Sequence, residues 1–185
     1  MMLPESLAQR QGRAFHALME AWRLLDQDAA RPAQSLVRQP TWCQILSRFA
    51  LSFDEQTQVL ERAQRQLQNP DMRTLMGLSA LGGACEIAGE LLIEREWLTL
   101  DGQRFRPDWV WVQPAQAIRV IDWKWSVQAS EISDYTAQLR GYASLMSHHF
   151  PARAVEALIL TSLGEIWRLE AQGLVHCQSA GRPAL

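Results

Sequence analysis

VIDWKWSV, residues 120–127, sets a carboxylate and an ammonium two positions apart inside an otherwise apolar run. The β-branched and aromatic residues around them read as a strand. In a strand, residues i and i+2 project from one face. Asp122 and Lys124 therefore point together, and Trp123 and Trp125 point the other way. Charges in such company must be paired or must hold an ion. Taken alone, D-x-K most simply forms an ion pair at a sheet edge.

The neighbouring stretch RFRPDWVWV adds Asp108, again amid tryptophan and valine. Alone it reads as a turn or cap aspartate after Pro107. Two carboxylates on adjacent strands repel unless a cation lies between them. An oxygen-rich site of Asp108 and Asp122 suits Mg²⁺ or Mn²⁺ better than zinc. Lys124 would then position a water or neutralise charge on an attacked phosphate. These are the parts that metal-assisted phosphodiester hydrolysis needs.

A further carboxylate depends on hairpin register. A three-residue loop Leu100-Asp101-Gly102, with Gly102 in the left-handed bulge position, pairs Thr99 with Gln103 and sets Glu94 opposite Asp108. A two-residue Asp-Gly turn would put Arg95 there instead. Glu94 is thus a candidate extra carboxylate, with a solvated strand-edge glutamate as the plainer alternative.

Around this core the chain changes period. Apolar residues at helical spacing predict a helix over 7–25 and short helical pieces between Pro32 and Pro40 and over 42–49. Ser52 with Glu55 fits a capping box opening a helix to about Gln68. Asn69-Pro70-Asp71 breaks it, 73–77 adds a turn or two, and Gly82-Gly83 ends the helical half. Strands follow over 91–100, 105–112 and 117–125, the last two separated by a turn at Pro114. A helix starts at Ser130 or Ser133 and ends at Pro151. Strands over 155–161 and 165–170 close the pattern, with a loosely ordered tail after Gly173. Helices, hairpin, strand, helix, strand, strand make an α/β protein with a mixed sheet. The expected division is a helical lobe at 1–80, a core at 81–172 and the tail at 173–185.

The 185 residues carry a formal charge of -2, so any attraction to nucleic acid must be local or supplied by another protein. There is no run of 18 apolar residues to suggest a membrane span, and the start of the chain lacks the apolar region of a secretory signal. Cys43, Cys85 and Cys177 fit no metal spacing, so reduced thiols in a cytoplasmic protein are expected. Trp109, Trp111, Trp123 and Trp125 alternate out of phase with the aspartates. They read as core, with a docking surface for another protein as the alternative.

RPDWV, the 14-residue step from Asp108 to Asp122, DWK, and YTAQLRGY together resemble the PD-(D/E)XK nuclease fold. More narrowly, they resemble the RecB/AddA-type nuclease domain of bacterial UvrD-like helicase–nucleases. Gln138 and Tyr142, four apart on one helix face, match that family's Q-x-x-x-Y. Gly12 and His16 in GRAFHALME match its G-x-x-x-H. Singly, these residues read as surface or half-buried helix positions. The sequence departs where the family often has glycine and arginine around the first aspartate, and where Trp125-Ser126 replaces a common Thr-Gly. The iron–sulfur cysteines of the AddB-like branch are absent. No G-x-x-x-x-G-K-[ST] appears, so the nuclease portion alone is expected.

The resemblance implies a restriction-endonuclease-like mixed sheet flanked by helices, with a helical N-terminal lobe. It implies His16, Asp108, Asp122 and the backbone carbonyl of Trp123 as ligands of Mg²⁺ or Mn²⁺. Lys124 would be the catalytic cation, with Gln138 and Tyr142 orienting it or the scissile phosphate. The implied function is cleavage of DNA, with single strands as the expected substrate, beside a helicase portion in double-strand-break repair and recombination. The rival readings are an inactive DNA-end-binding scaffold, favoured by Pro107 and Trp125, and a stand-alone nuclease on RNA or phage DNA.

Overall fold

The structure, a computed structural model, describes residues 5–28, 31–76, 89–99, 101–113 and 117–177. The expected features at Gly77, Gly82-Gly83, Cys85, Leu100 and Pro114 lie outside the described residues, as do 178–185.

Among the described residues six helices come first: α1 Leu7–Glu20, α2 Trp22–Gln27, α3 Ala33–Leu36, α4 Pro40–Leu46, α5 Phe53–Gln68 and α6 Pro70–Leu75. The boundaries follow local chemistry. Ser6 caps α1 by a box with Gln9, and Ser52 caps α5 by a box with Glu55. The single helix expected over 7–25 divides at Ala21, whose ψ of 19° departs from helical geometry. Trp22 and Leu25 stay buried across that break. Asn69 does end α5, but its side chain also accepts from the amides of Asp71 and Met72 and so starts α6 at once. Pro70 at the first helical position lacks only an amide that would be unpaired there anyway.

The strands are β1 Glu90–Ile93, β2 Trp97–Leu98, β3 Arg104–Phe105, β4 Trp109–Val112, β5 Ile118–Lys124, β6 Val155–Thr161, β7 Ile166–Glu170 and β8 Gly173–Cys177, with α7 Ile132–His149 between β5 and β6. A mixed sheet runs in the order β1-β4-β5-β6-β7-β8, and β2-β3 forms a separate ribbon. Only the β5–β6 pair is parallel, as expected of strands joined through α7. Three expectations need correction. Of the tail expected to be loose, Gly173–Cys177 instead pairs with β7 as an edge strand. Neither Ser130 nor Ser133 caps α7: a 3-10 turn at Ala129–Glu131 leads in, and Gln128 and Glu131 form the box. The two long hairpin strands are each split in two.

Both faces of the sheet are covered, which explains why β5 is a near-continuous apolar run rather than an alternating one. One face packs Trp109, Ile121, Trp123, Leu158 and Leu160 against Phe15, Leu18, Leu60 and other residues of the N-terminal helices. The other packs Val110, Val120 and Ile159 against Leu139, Leu145 and Met146 of α7. Trp109, Trp111 and Trp123 are each 1% exposed, so they are core and not a docking surface. The result is a helix layer, a sheet and one long helix, with the N-terminal end of β4 beside the C-terminal end of β5.

Candidate functional site

Asp108 immediately precedes β4, and Asp122 and Lys124 close β5, so the strand pairing gathers them at one end of the sheet. The alternation expected from the sequence holds: Trp123 faces the N-terminal helices while its neighbours do not. From the helix layer, α1 brings His16 Nδ1 to 3.4 Å from Asp108 Oδ2. Gly12, one turn earlier, faces Trp125, and a Cβ there would meet Trp125 Cβ at 3.5 Å, an ordinary contact. Glycine is therefore not required for this approach.

Glu94 arrives by the register that a three-residue loop dictates. Ile93 pairs Trp109, Trp97 pairs Phe105, and the Thr99 amide donates to Gln103 O at 3.0 Å, so one register runs through the whole hairpin. Gly102 takes the left-handed conformation at φ 81°. The Glu94 amide donates to Asp108 O at 2.9 Å, directly across the pair. Glu94 itself sits at φ 50° where β1 ends, an uncommon conformation for a residue with a side chain. One ligand atom each from His16, Glu94 and Asp108 lie within 4.8 Å of one another.

Asp122 stands beside this set with a different company. Lys124 Nζ lies 2.6 Å from its Oδ2. That contact is off the hydrogen-bond direction, and Oδ2 remains buried with no hydrogen bond. Gln138 Nε2 donates to Asp122 Oδ1 at 3.3 Å and to the Tyr142 hydroxyl at 2.7 Å. Gln138 therefore ties Asp122 to Tyr142. For Trp123 the structure supplies an amide that donates to Asp108 Oδ2 at 2.6 Å.

Two further residues belong here, Tyr135, which the sequence reading missed, and Arg106, which it named as a basic residue near the site. Tyr135 places its ring centroid 5.0 Å from Lys124 Nζ. It lies three residues before Gln138 on the same face of α7, a spacing that could have found it. Arg106 Nε pairs with Glu94 Oε2 at 2.9 Å, a contact that only the broken hairpin creates.

The electrostatics are those of too much negative charge in too little water. Burial and the Asp108 charge push Glu94 up to about 7. Burial, again with the Asp108 charge, pushes Asp122 up to about 6, against the pull of Lys124. Burial works against the His16 cation, but the hydrogen bond and charge of Asp108 outweigh it and raise the imidazole. Burial likewise opposes the Asp108 anion, yet His16, the Trp123 amide and Lys124 together hold it below the usual carboxylate range. Burial pushes Tyr135 up to about 12 and Tyr142 higher still.

These residues fit a hard divalent cation. Two oxygens and one imidazole nitrogen converge within a span that bonds of about 2.0–2.5 Å can bridge. Asp122 Oδ2 beside them is a buried carboxylate oxygen whose near neighbour is the Lys124 ammonium at 2.6 Å. The compact trio includes Glu94 where Asp122 was expected, because Lys124 and Gln138 already engage Asp122.

A family model described as the PD-(D/E)XK nuclease superfamily matches residues 2–176. No curated protein matches the chain in sequence. Among the described residues, no helix is long and apolar enough to cross a membrane.

Proposed function

We propose, from the premise that this chain belongs to the PD-(D/E)XK nuclease superfamily, that it hydrolyses phosphodiester bonds of single-stranded DNA as a RecB/AddA-type nuclease. The observation that carries the reading is the meeting of His16 from the first helix with Glu94 and Asp108 at the sheet end. In this reading His16, Asp108 and Glu94 hold Mg²⁺ or Mn²⁺, with Asp122 and the Trp123 carbonyl completing its surroundings. A bound cation of this kind supplies Lewis acidity at a phosphoryl oxygen.

The chain's own side chains do the rest. Lys124 holds the attacking water by its ammonium and offsets the negative charge that develops on the phosphate. Tyr135 keeps that ammonium over its ring, and Gln138, braced by Tyr142, fixes the Asp122 carboxylate that Lys124 leans on. The biological setting consistent with the resemblance is end processing in double-strand-break repair, with a UvrD-like helicase portion feeding the strand. The near-neutral formal charge of -2 supports reliance on such a partner for DNA capture.

A second reading, a non-catalytic DNA-end clamp, draws on the 2.6 Å Lys124–Asp122 pair, which occupies the amine with an acid. A cleavage assay on linear single-stranded DNA separates the two. With Mg²⁺, wild type should cleave and Lys124→Ala should fall by about a hundredfold or more, the scale of one lost charge-stabilising group. Equal rates for both proteins would refute the assignment of Lys124, and no cation-dependent cleavage by wild type would favour the clamp.

A further inference from the structure

Arg62 is a partly buried cation that pairs with no acid among the described residues. Its guanidinium lies 4.2 Å from the centroid of the Trp125 ring. Among the described residues its hydrogen bond is from Nη1 to Ser162 Oγ at 3.1 Å. Burial and the like charge of Arg65, one turn on, both disfavour its charged form, and no carboxylate counters them. Arg73 and Arg119, also withdrawn from solvent, are each paired with an acid, Asp26 and Glu156. A guanidinium held in place with donors still facing solvent is suited to take an anion.

Its mount is built with care for direction. Ser162 Oγ donates to Trp125 O at 2.7 Å, and the Ser162 amide donates to Lys124 O at 2.9 Å. Gln66 Nε2, from the same helix as Arg62, donates to Ser162 O at 2.9 Å. Ser162 thus joins α5 to the C-terminal ends of β5 and β6 and leaves most of the guanidinium's N–H donors unused. That end of a parallel strand pair is where ligands gather in open α/β sheets. It is also the end from which Lys124 projects.

We propose that Arg62, seconded by Arg65, binds a backbone phosphate of the nucleic-acid strand outside the cleavage site. Trp125 and Ser162 hold Arg62 in place for that contact. The inference rests on the nucleic-acid reading above but not on the metal or on catalysis. Arg62 is a binding residue, and the planar fork that suits it to a phosphate is the reason arginine stands there.

The test is fluorescence anisotropy of a labelled oligothymidylate of about 20 nucleotides, enough to fill a single-strand site. It is run in Ca²⁺ across a salt series, with melting curves for each variant. Arg62→Met, which keeps the packing on Trp125, should weaken binding about tenfold, the scale of one charge-assisted contact. It should also lower the slope of log affinity against log salt by about 0.7, the value for one phosphate on a single strand. Arg65→Met alters an exposed side chain and cannot fail through packing; it should lower the slope as well. Arg62→Lys should keep the wild-type slope. Wild-type affinity and slope in both methionine variants would overturn the proposal. Wild type that binds no oligonucleotide would sink this proposal and the nucleic-acid reading together. Binding that loses slope in Arg62→Met, in a protein that cleaves nothing, would support the phosphate site and remove only the catalytic reading.

Discussion

Raising the pH from 5 to 8 with a chelator present should destabilise the protein, and a divalent cation should reverse the loss. A carboxyl whose acidity is weakened by folding binds its proton more tightly in the folded than in the unfolded chain. Its stabilisation is therefore complete below the unfolded value and is lost as pH climbs to the folded one. Asp122 moves from 3.8 to about 6 and Glu94 from 4.5 to about 7, so the window of loss spans roughly pH 4 to 7. His16, also raised, adds loss in the same direction from 6.5 upward. Asp108, lowered, is stabilising above its ordinary 3.8 and adds no loss in this window. At ~1.4 kcal/mol per tenfold change in proton affinity, Asp122 alone contributes up to ~3 kcal/mol. Glu94, whose side chain is 22% exposed and faces Arg106, adds less than its shift suggests. For a chain of this length each kcal/mol moves the melting temperature by about 2–4 °C. About half of the Asp122 loss falls below pH 5, so a fall of about 3–6 °C from Asp122, with a smaller addition from Glu94, is expected in differential scanning fluorimetry from pH 5 to 8 in EDTA. At pH 8, Mg²⁺ at about a hundred times its dissociation constant should return ~2.7 kcal/mol. At pH 5, where the acids hold protons, the same Mg²⁺ should do little. Glu94→Gln should flatten the profile. A melting temperature that holds or rises from pH 5 to 8 in EDTA, in wild type, would refute the charge-crowding argument.

Three substitutions test the framework around the site. A Cβ on Gly141 would lie 2.7 Å from Phe105 Cε1, so Gly141→Ala should push the β2–β3 ribbon off α7 and lower stability by ~1–3 kcal/mol in urea unfolding. Gln138→Leu removes the donor to the buried Asp122 Oδ1 and should lower stability by ~1–3 kcal/mol at pH 8, with a smaller loss at pH 5 where Asp122 is protonated. Arg73 Nη1 contacts Asp26 Oδ1 at 2.6 Å and Leu67 O at 2.7 Å while almost wholly buried; Arg73→Met should cost ~3–5 kcal/mol by calorimetry, and a loss below ~1 would show the pair to be dispensable.

Much of this was legible in the chain because local chemistry and long-range packing agree. The alternation of Asp122, Trp123 and Lys124 requires two unlike environments on the two faces of β5, and the structure has them. The capping boxes at Ser52 and Glu55, and the left-handed Gly102, are local signals that tertiary contacts did not override. The errors lie where a decision is taken across the fold. The shortness of Gly173-Leu174-Val175-His176-Cys177 hid a strand that exists because β7 offers it an edge. Ser130 and Ser133 looked like caps because cap propensity is local. The chain uses Gln128 and Glu131 instead, since a 3-10 turn first carries it over from β5.

The split hairpin shows why the site itself was only partly readable. Register alone put Glu94 opposite Asp108, and that much survives. What register could not supply is the end of β1 at Ile93 and the left-handed turn at Glu94, which separate the β2–β3 ribbon from the main sheet. Arg106 meets Glu94 across that break, and Phe105 from the ribbon packs its ring 5.9 Å from Tyr142 with Gly141 leaving it room. Each contact is weak evidence in sequence, since arginine, phenylalanine and glycine are all ordinary near a turn. Together they lock the ribbon onto α7, hold Glu94 in a conformation it would not choose alone, and bring its carboxylate within 4.8 Å of ligand atoms of Asp108 and His16. The acidic trio is thus a product of packing at three separate places, and loosening any one of them should scatter it.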